Sequence, residues 1–195
     1  MMDRIFVTDQ IVTISNVLSL EECREQMGRA QLAGFDAQAR GSTIRTEVRR
    51  RRAAIEDPES AARLWERIAP LIPPLEPLYR PPLEPYPPVS DELSAYRAVG
   101  LNPRLRFYHY EPGDRFPSHF DIAYEESPET RSFLTIIVYL NEGCRGGETR
   151  FGDVVINPRA GMALLFPHEL QHEGTEILEG WKCVLRSDIM YRLGD

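Results

Sequence analysis

From Arg104 onward the chain reads as short apolar segments divided by turns, and this pattern restricts the fold more than any other feature. Eight candidate strands lie near residues 104–111, 116–122, 132–141, 148–151, 153–157, 161–166, 171–176 and 181–191, with glycine or proline in the turns. Such a series predicts a double-stranded β-helix, or jelly roll, in a mainly β chain with covering helices (α+β). Ser132 to Leu140 is apolar on both parities, as a strand is when helices cover one face of its sheet and a filled interior the other. The last segment alternates. Trp181, Cys183, Leu185, Ile189 and Tyr191 share one face, and Lys182, Val184, Arg186 and Asp188 share the other. A charged face can simply meet solvent in an antiparallel sheet. If it looks into a barrel instead, its three charges need partners.

The first 103 residues follow other rules. Ile5 to Ile14 reads as extended. Ser19-Leu-Glu-Glu22 has the capping-box pattern, and Leu20, Cys23, Met27 and Ala30 recur at helical spacing until Gly34. Asp57-Pro58 joins an N-cap to a first-turn proline, and Ala61, Leu64, Trp65 and Ile68 form an apolar stripe on the helix that follows. Arg49-Arg-Arg-Arg52 is the one basic run, and the formal net charge of −7 favours reading it as a solvated loop. In the segment Pro70 to Pro88, Ile72-Pro-Pro-Leu-Glu-Pro-Leu-Tyr79 is followed by Arg80-Pro-Pro-Leu-Glu-Pro-Tyr-Pro87. So many prolines argue against helix and central strand, and an extended surface connection is expected, with a pocket lid or partner-binding arm as the functional alternative. Residues 1–195 are expected to form a single domain, with 1–103 as the covering region and 104–192 as the core.

His119 and Asp121 stand two apart, so on a strand both side chains leave the same face. Two imidazoles and one carboxylate make the facial triad of non-haem Fe(II) sites, which leaves positions open for reactants; a zinc site is more often closed by a fourth protein ligand. His172 is the best candidate for the third ligand, and the other histidines are His109 and His168. A lone His-x-Asp is usually an ordinary polar pair on a strand, so the neighbouring motifs decide its weight.

Those motifs are Tyr110-x-x-Gly113 ahead of His119-x-Asp121, then Tyr139-Leu-Asn141, Gly146-Gly-Glu-Thr149-x-Phe151, Pro158-x-x-Gly161, and His172 with a basic Lys182 ten residues on. From Leu105 to Arg192 the chain resembles the Fe(II)- and 2-oxoglutarate-dependent dioxygenases, in the branch around the prolyl 4-hydroxylases. The resemblance implies that His119, Asp121 and His172 bind Fe(II) and serve catalysis. It further implies that Lys182 pairs with the distal carboxylate of 2-oxoglutarate, helped by Tyr139 and Tyr110. Arg186 lies on the same face as Lys182 and is a second candidate for binding the cosubstrate or an anionic substrate group. O₂ is the co-reactant, and ascorbate a possible supporting reductant. The chain departs from that branch at Phe116, where a tyrosine often precedes the first iron histidine, and at Asp188, where a tryptophan often lines the substrate side. The iron and cosubstrate parts are therefore complete, and the peptidyl-proline pocket is not.

The expected activity is hydroxylation of an unactivated C–H on a peptidyl or small-molecule substrate. The alternatives are a hydroxylase of free amino acids or other small carboxylates, and a non-catalytic metal-binding jelly roll. The acidic net charge argues against nucleic acid, no apolar run approaches 18 residues, and Cys23, Cys144 and Cys183 lack metal spacing, so a cytoplasmic location is expected. Oligomeric state is not legible.

Overall fold

The computed structural model describes residues 1–36, 50–78 and 91–194. The covering region holds β1 (Arg4–Phe6), β2 (Val12–Ile14), α1 (Leu20–Ala33), β3 (Arg51–Glu56), α2 (Pro58–Ile68) and the single turn α3 (Leu75–Leu78). Then come β4 (Tyr96–Leu101), β5 (Arg104–Tyr110), β6 (Phe116–His119), β7 (Glu125–Ser127), β8 (Thr130–Tyr139) and β9 (Arg145–Gly146). The chain ends with β10 (Thr149–Phe151), β11 (Val154–Ile156), β12 (Ala163–Pro167), β13 (His172–Gly174), β14 (Ile177–Glu179) and β15 (Lys182–Leu193). Each of the eight expected segments overlaps an observed strand, and the second is shorter than expected, since β6 ends at His119.

The main sheet runs β1-β2-β12-β8-β15-β5-β3, with β4 on β15 and β7 on β8, and a second sheet runs β11-β10-β13-β6. The two sheets form the expected jelly roll. Two cores result. Leu105, Phe107, Leu134, Ile136, Val138 and Leu185 leave the main sheet on one side to meet Cys23, Ala30, Leu64 and Ile68 of α1 and α2. Tyr108, Tyr110, Tyr139, Val184 and Phe166 leave it on the other, toward Phe151 and Ile156 of the second sheet. This explains why β8 is apolar on both parities: Ile136 and Val138 face the helices while Ile137 and Tyr139 face the interior. Each such large apolar side chain contributes roughly 1.5–3 kcal/mol through burial.

Local signals place the helices. Ser19 caps α1, with its hydroxyl accepting from the Glu22 amide at 3.1 Å while Glu22 accepts from the Ser19 amide at 2.7 Å. Asp57 caps α2 by accepting from the Ser60 amide at 2.9 Å.

Two expectations need correcting. The basic run is not a solvated loop where it is described: Arg51 and Arg52 begin β3, which pairs with β5 from Arg51↔His109 to Glu56↔Arg104. Cross-strand pairing and the burial of Ala53 override a charge pattern that reads as loop. The proline-rich segment is not free of helix, since Leu75–Leu78 makes one turn with Pro77 inside it. The first turn of a helix leaves its amides unpaired, so a proline there removes nothing. Residues 79–88 of that segment lie outside the described residues.

Candidate active site

The site forms where the two sheets meet at β6 and β13. These strands pair so that His172 lies opposite His119. The Nδ1 atoms of His119 and His172 each lie 2.9 Å from a backbone carbonyl oxygen, of Pro117 and Leu170 respectively. A carbonyl only accepts, so each Nδ1 carries a proton, which leaves Nε2 as the nitrogen available to a metal. Both Nε2 atoms lie 3.7 Å from Asp121, His119 facing Oδ1 and His172 facing Oδ2. The three donor atoms fall within 4.8 Å of one another, and no other group among the described residues does so. Burial lowers the His172 pKa to about 4, against the pull of Asp121, which leaves the neutral imidazole that a metal requires. Burial opposes ionisation of Asp121 too, yet its contacts with His119, Arg186 and His172 hold the carboxyl well below the usual carboxylate range. Two neutral imidazoles, one carboxylate and no thiolate fit non-haem Fe(II).

Asp121 is held from behind by a directed chain of hydrogen bonds. Thr135 donates to Asp121 Oδ2 at 2.6 Å, and the same hydroxyl lies 2.8 Å from His168 Nδ1 and accepts a longer contact from Arg186 Nη2 at 3.4 Å. A carboxylate cannot donate, so the threonine proton points at Asp121 and His168 Nδ1 carries the next one. His168 Nε2 then accepts from Ser132 at 2.8 Å, and Ser132 accepts from the Tyr124 amide at 2.8 Å. Burial pushes His168 down to about 4, so the ring stays neutral, as this chain demands. Arg186 completes the grip, with Nη2 3.0 Å from Asp121 Oδ1. The carboxylate is oriented on both oxygens.

Further along the inner face of β15, Lys182 is 3% exposed. Its Nζ donates to the Gly147 carbonyl at 2.6 Å and lies 4.6 Å from the centre of the Tyr110 ring. Burial lowers its pKa to about 8, partly offset by Cys144 and Glu148. The approach depends on Gly146 and Gly147, both at positive φ (79° and 77°). A Cβ at Gly146 would meet the Glu176 carbonyl at 2.1 Å, and one at Gly147 would meet Ile177 at 2.4 Å. The Tyr139 hydroxyl bonds Thr149 at 2.6 Å in the same interior.

Arg186 stands elsewhere than Lys182. Besides Asp121 it contacts Asp188 at 3.4 Å, and Asp188 also pairs with Arg106 and accepts from Asn102 at 3.2 Å. The sequence did not bring in Thr135 or Arg106, and it named His168 only as another histidine beside His172. Thr135 shares its strand face with Tyr139, which was a usable signal, whereas the roles of His168 and Arg106 depend on contacts across the sheet. One cavity, about 650 Å³, lies outside the barrel among α1, His109 and Trp181, away from these donors. A second, about 610 Å³, reaches the triad at His172.

Residues 105–186 match the family model of the 2OG-Fe(II) oxygenase superfamily. Those residues carry a 2OG-Fe(II) oxygenase core. This makes the chain an oxidoreductase of the dioxygenase class, with Fe(II), 2-oxoglutarate and O₂ as its reactive partners. No match was found among curated proteins. Solved structures extend the likeness over nearly the whole oxygenase chain. A viral collagen prolyl hydroxylase from Paramecium bursaria Chlorella virus-1 is 17% identical with a TM-score of 0.60, covering 94% of this chain and 97% of its own. A prolyl hydroxylase from Trichoplax adhaerens is 19% identical with a TM-score of 0.57, covering 95% and 84%. The epimerase SnoN of nogalamycin biosynthesis is 15% identical with a TM-score of 0.52, covering 94% and 78%. At such identities the likeness concerns the fold, and this fold serves more than one reaction. Among the described residues, no helix of the oxygenase is long and apolar enough to cross a membrane.

Proposed function

We propose that the chain is an Fe(II)- and 2-oxoglutarate-dependent hydroxylase of the prolyl 4-hydroxylase type, with His119, Asp121 and His172 as the iron ligands. Lys182 takes the distal carboxylate of 2-oxoglutarate, beside Tyr110 and Tyr139. One observation carries this reading: a tautomer-locked His-Asp-His cluster shares its interior with a buried ammonium whose hydrogen-bond partner is a neutral carbonyl. A buried cation among the tyrosines of a water-excluding interior calls for an anion, and the cosubstrate brings one.

When bound, Fe(II) with 2-oxoglutarate supplies the activation of O₂ and the oxidation of a C–H bond. The chain's own residues orient and shield. Pro117 and Leu170 fix the imidazole tautomers, Thr135 and Arg186 fix both oxygens of Asp121, and Phe151 and Phe166 pack against His172 at 5.7 and 4.5 Å between ring centres. Substrates named for the similar structures, collagen and a hypoxia-inducible-factor peptide, support a prolyl or related acceptor. The three free cysteines suit a reducing, cytoplasmic setting.

Purified protein supplied with Fe(II), ascorbate and 2-oxoglutarate is expected to form succinate. His119→Ala and His172→Ala should lose both succinate formation and Mn(II) binding while keeping their circular dichroism. Succinate retained in either variant removes the ligand assignment; metal and 2-oxoglutarate binding without any succinate points to a binding module.

A further inference from the structure

Strand register sets a row of arginines on the wall beside the proposed iron ligands. In β3, β5 and β15, Arg52 lies opposite Tyr108, which lies opposite Val184, and Ala54 lies opposite Arg106, which lies opposite Arg186. Directly opposed residues share a face, and Tyr108 and Val184 belong to the interior cluster, so this face looks inward. Arg50, just ahead of β3, joins it: its guanidinium carbon lies 4.1 Å from the centre of the Tyr108 ring and 3.8 Å from that of Phe116. Phe116 in turn stacks on His119 at 3.6 Å. One aromatic ring therefore separates the Arg50 cation from an iron-ligating imidazole.

The charges around this wall do not balance. Asp188 is shared by Arg106 and Arg186, and Asp121 is given to the metal in the proposed function, on which this inference rests. Arg50 is half-buried against two rings. Its Nε and Nη1, and the Nε atoms of Arg106 and Arg186, are shielded from solvent without a hydrogen-bond partner among the described residues. Donors of this kind are costly unless a ligand satisfies them. Tyr108 reports the same field: burial should raise its pKa, yet the charges of Arg50, Arg186 and Arg106 pull it down. Lys182, claimed by the cosubstrate, is not part of this set.

We infer that the substrate is anionic, presenting an oxyanion (a carboxylate or phosphate) to Arg50 and Arg106 beside Tyr108 while its reacting carbon lies over the metal. The planar guanidinium fork suits either group. A prolyl acceptor meets those donors only where a carboxylate or phosphate lies beside it.

The test uses the full chain loaded with Zn(II) and 2-oxoglutarate, whose binding is first measured by calorimetry. Arginine Nε–H NMR signals are then followed during titration with acetate, inorganic phosphate and neutral acetamide. The Arg50 and Arg106 signals should shift with at least one anion and not with acetamide, while exposed Arg63 and Arg145 stay put; the stronger anion identifies the source. Arg50→Gln should weaken the response at Arg106 about tenfold, the loss of one charge-assisted hydrogen bond. If neither anion moves the two signals, or if the exposed arginines move equally, or if Arg50→Gln responds like the parent, the inference fails. Failure of 2-oxoglutarate to bind would instead overturn the cosubstrate reading.

Discussion

The inner face of β15 carries two cations four residues apart, and their surroundings are opposite. Lys182 is enclosed by Tyr110, Gly147 and Gly174, and its pKa falls to about 8. Arg186 lies between Asp121 and Asp188, and its protonated form is stabilised despite burial. Lys182 is buried, and Arg186 is largely so. The difference teaches that a buried charge hydrogen-bonded to a neutral carbonyl, with Glu148 acting on it without a salt bridge, is set up for a ligand, while one between fixed carboxylates holds the protein's own groups in place.

The sharpest challenge to this comparison is Asp188→Ala. It strips Arg106 and Arg186 of their shared carboxylate and should destabilise the fold by about 3–5 kcal/mol, measured by urea unfolding. If Lys182→Ala costs as much, the two cations are alike and the distinction falls.

A smaller effect is expected at the other end. Lys182→Met keeps the stem's volume and removes a buried charge, so stability should hold or rise. Calorimetry on the Zn(II)-loaded variant should show affinity for 2-oxoglutarate reduced about 100-fold, while Zn(II) affinity stays within about threefold of the parent. Unchanged cosubstrate affinity would transfer the role to Arg186.

The smallest effect is a pH dependence. The free protein's Lys182 titrates near 8, below its ordinary value, and an anion bound beside it raises that pKa again. Protonation and binding therefore favour each other, so affinity for 2-oxoglutarate should be level below pH 8 and fall about tenfold per pH unit above it. Lys182→Arg should flatten the profile, because a guanidinium stays charged throughout. A profile that falls equally in both proteins would locate the titration elsewhere.

How much was legible depends on the reach of each signal. Ser19 and Asp57 announced their helices because a cap acts within three residues. The two-sided apolar character of β8 announced its central position, and the parity of β15 put Lys182 on the face opposite Cys183 and Leu185. The short strands β7, β9 and β14 left no trace, since two or three residues carry no period. β3 was masked by its arginines: a charge run reads as solvated until a partner strand supplies the tyrosine ring beneath it.

Sequence alone determined the alternation that makes a jelly roll and named His119 and Asp121 as a pair, although β6 ends at His119 and Asp121 joins the cluster from just beyond the strand rather than from its face. These follow from chain geometry, which acts along the backbone. Tertiary structure decided that His172 lies opposite His119, that His168 steadies Thr135 rather than joining the metal-ligand cluster, and that Arg186 grips Asp121. It also turned Arg50 toward Phe116. Each of these is a contact between residues distant in sequence, set by strand register, and register is settled only when both faces of a sheet find their cores.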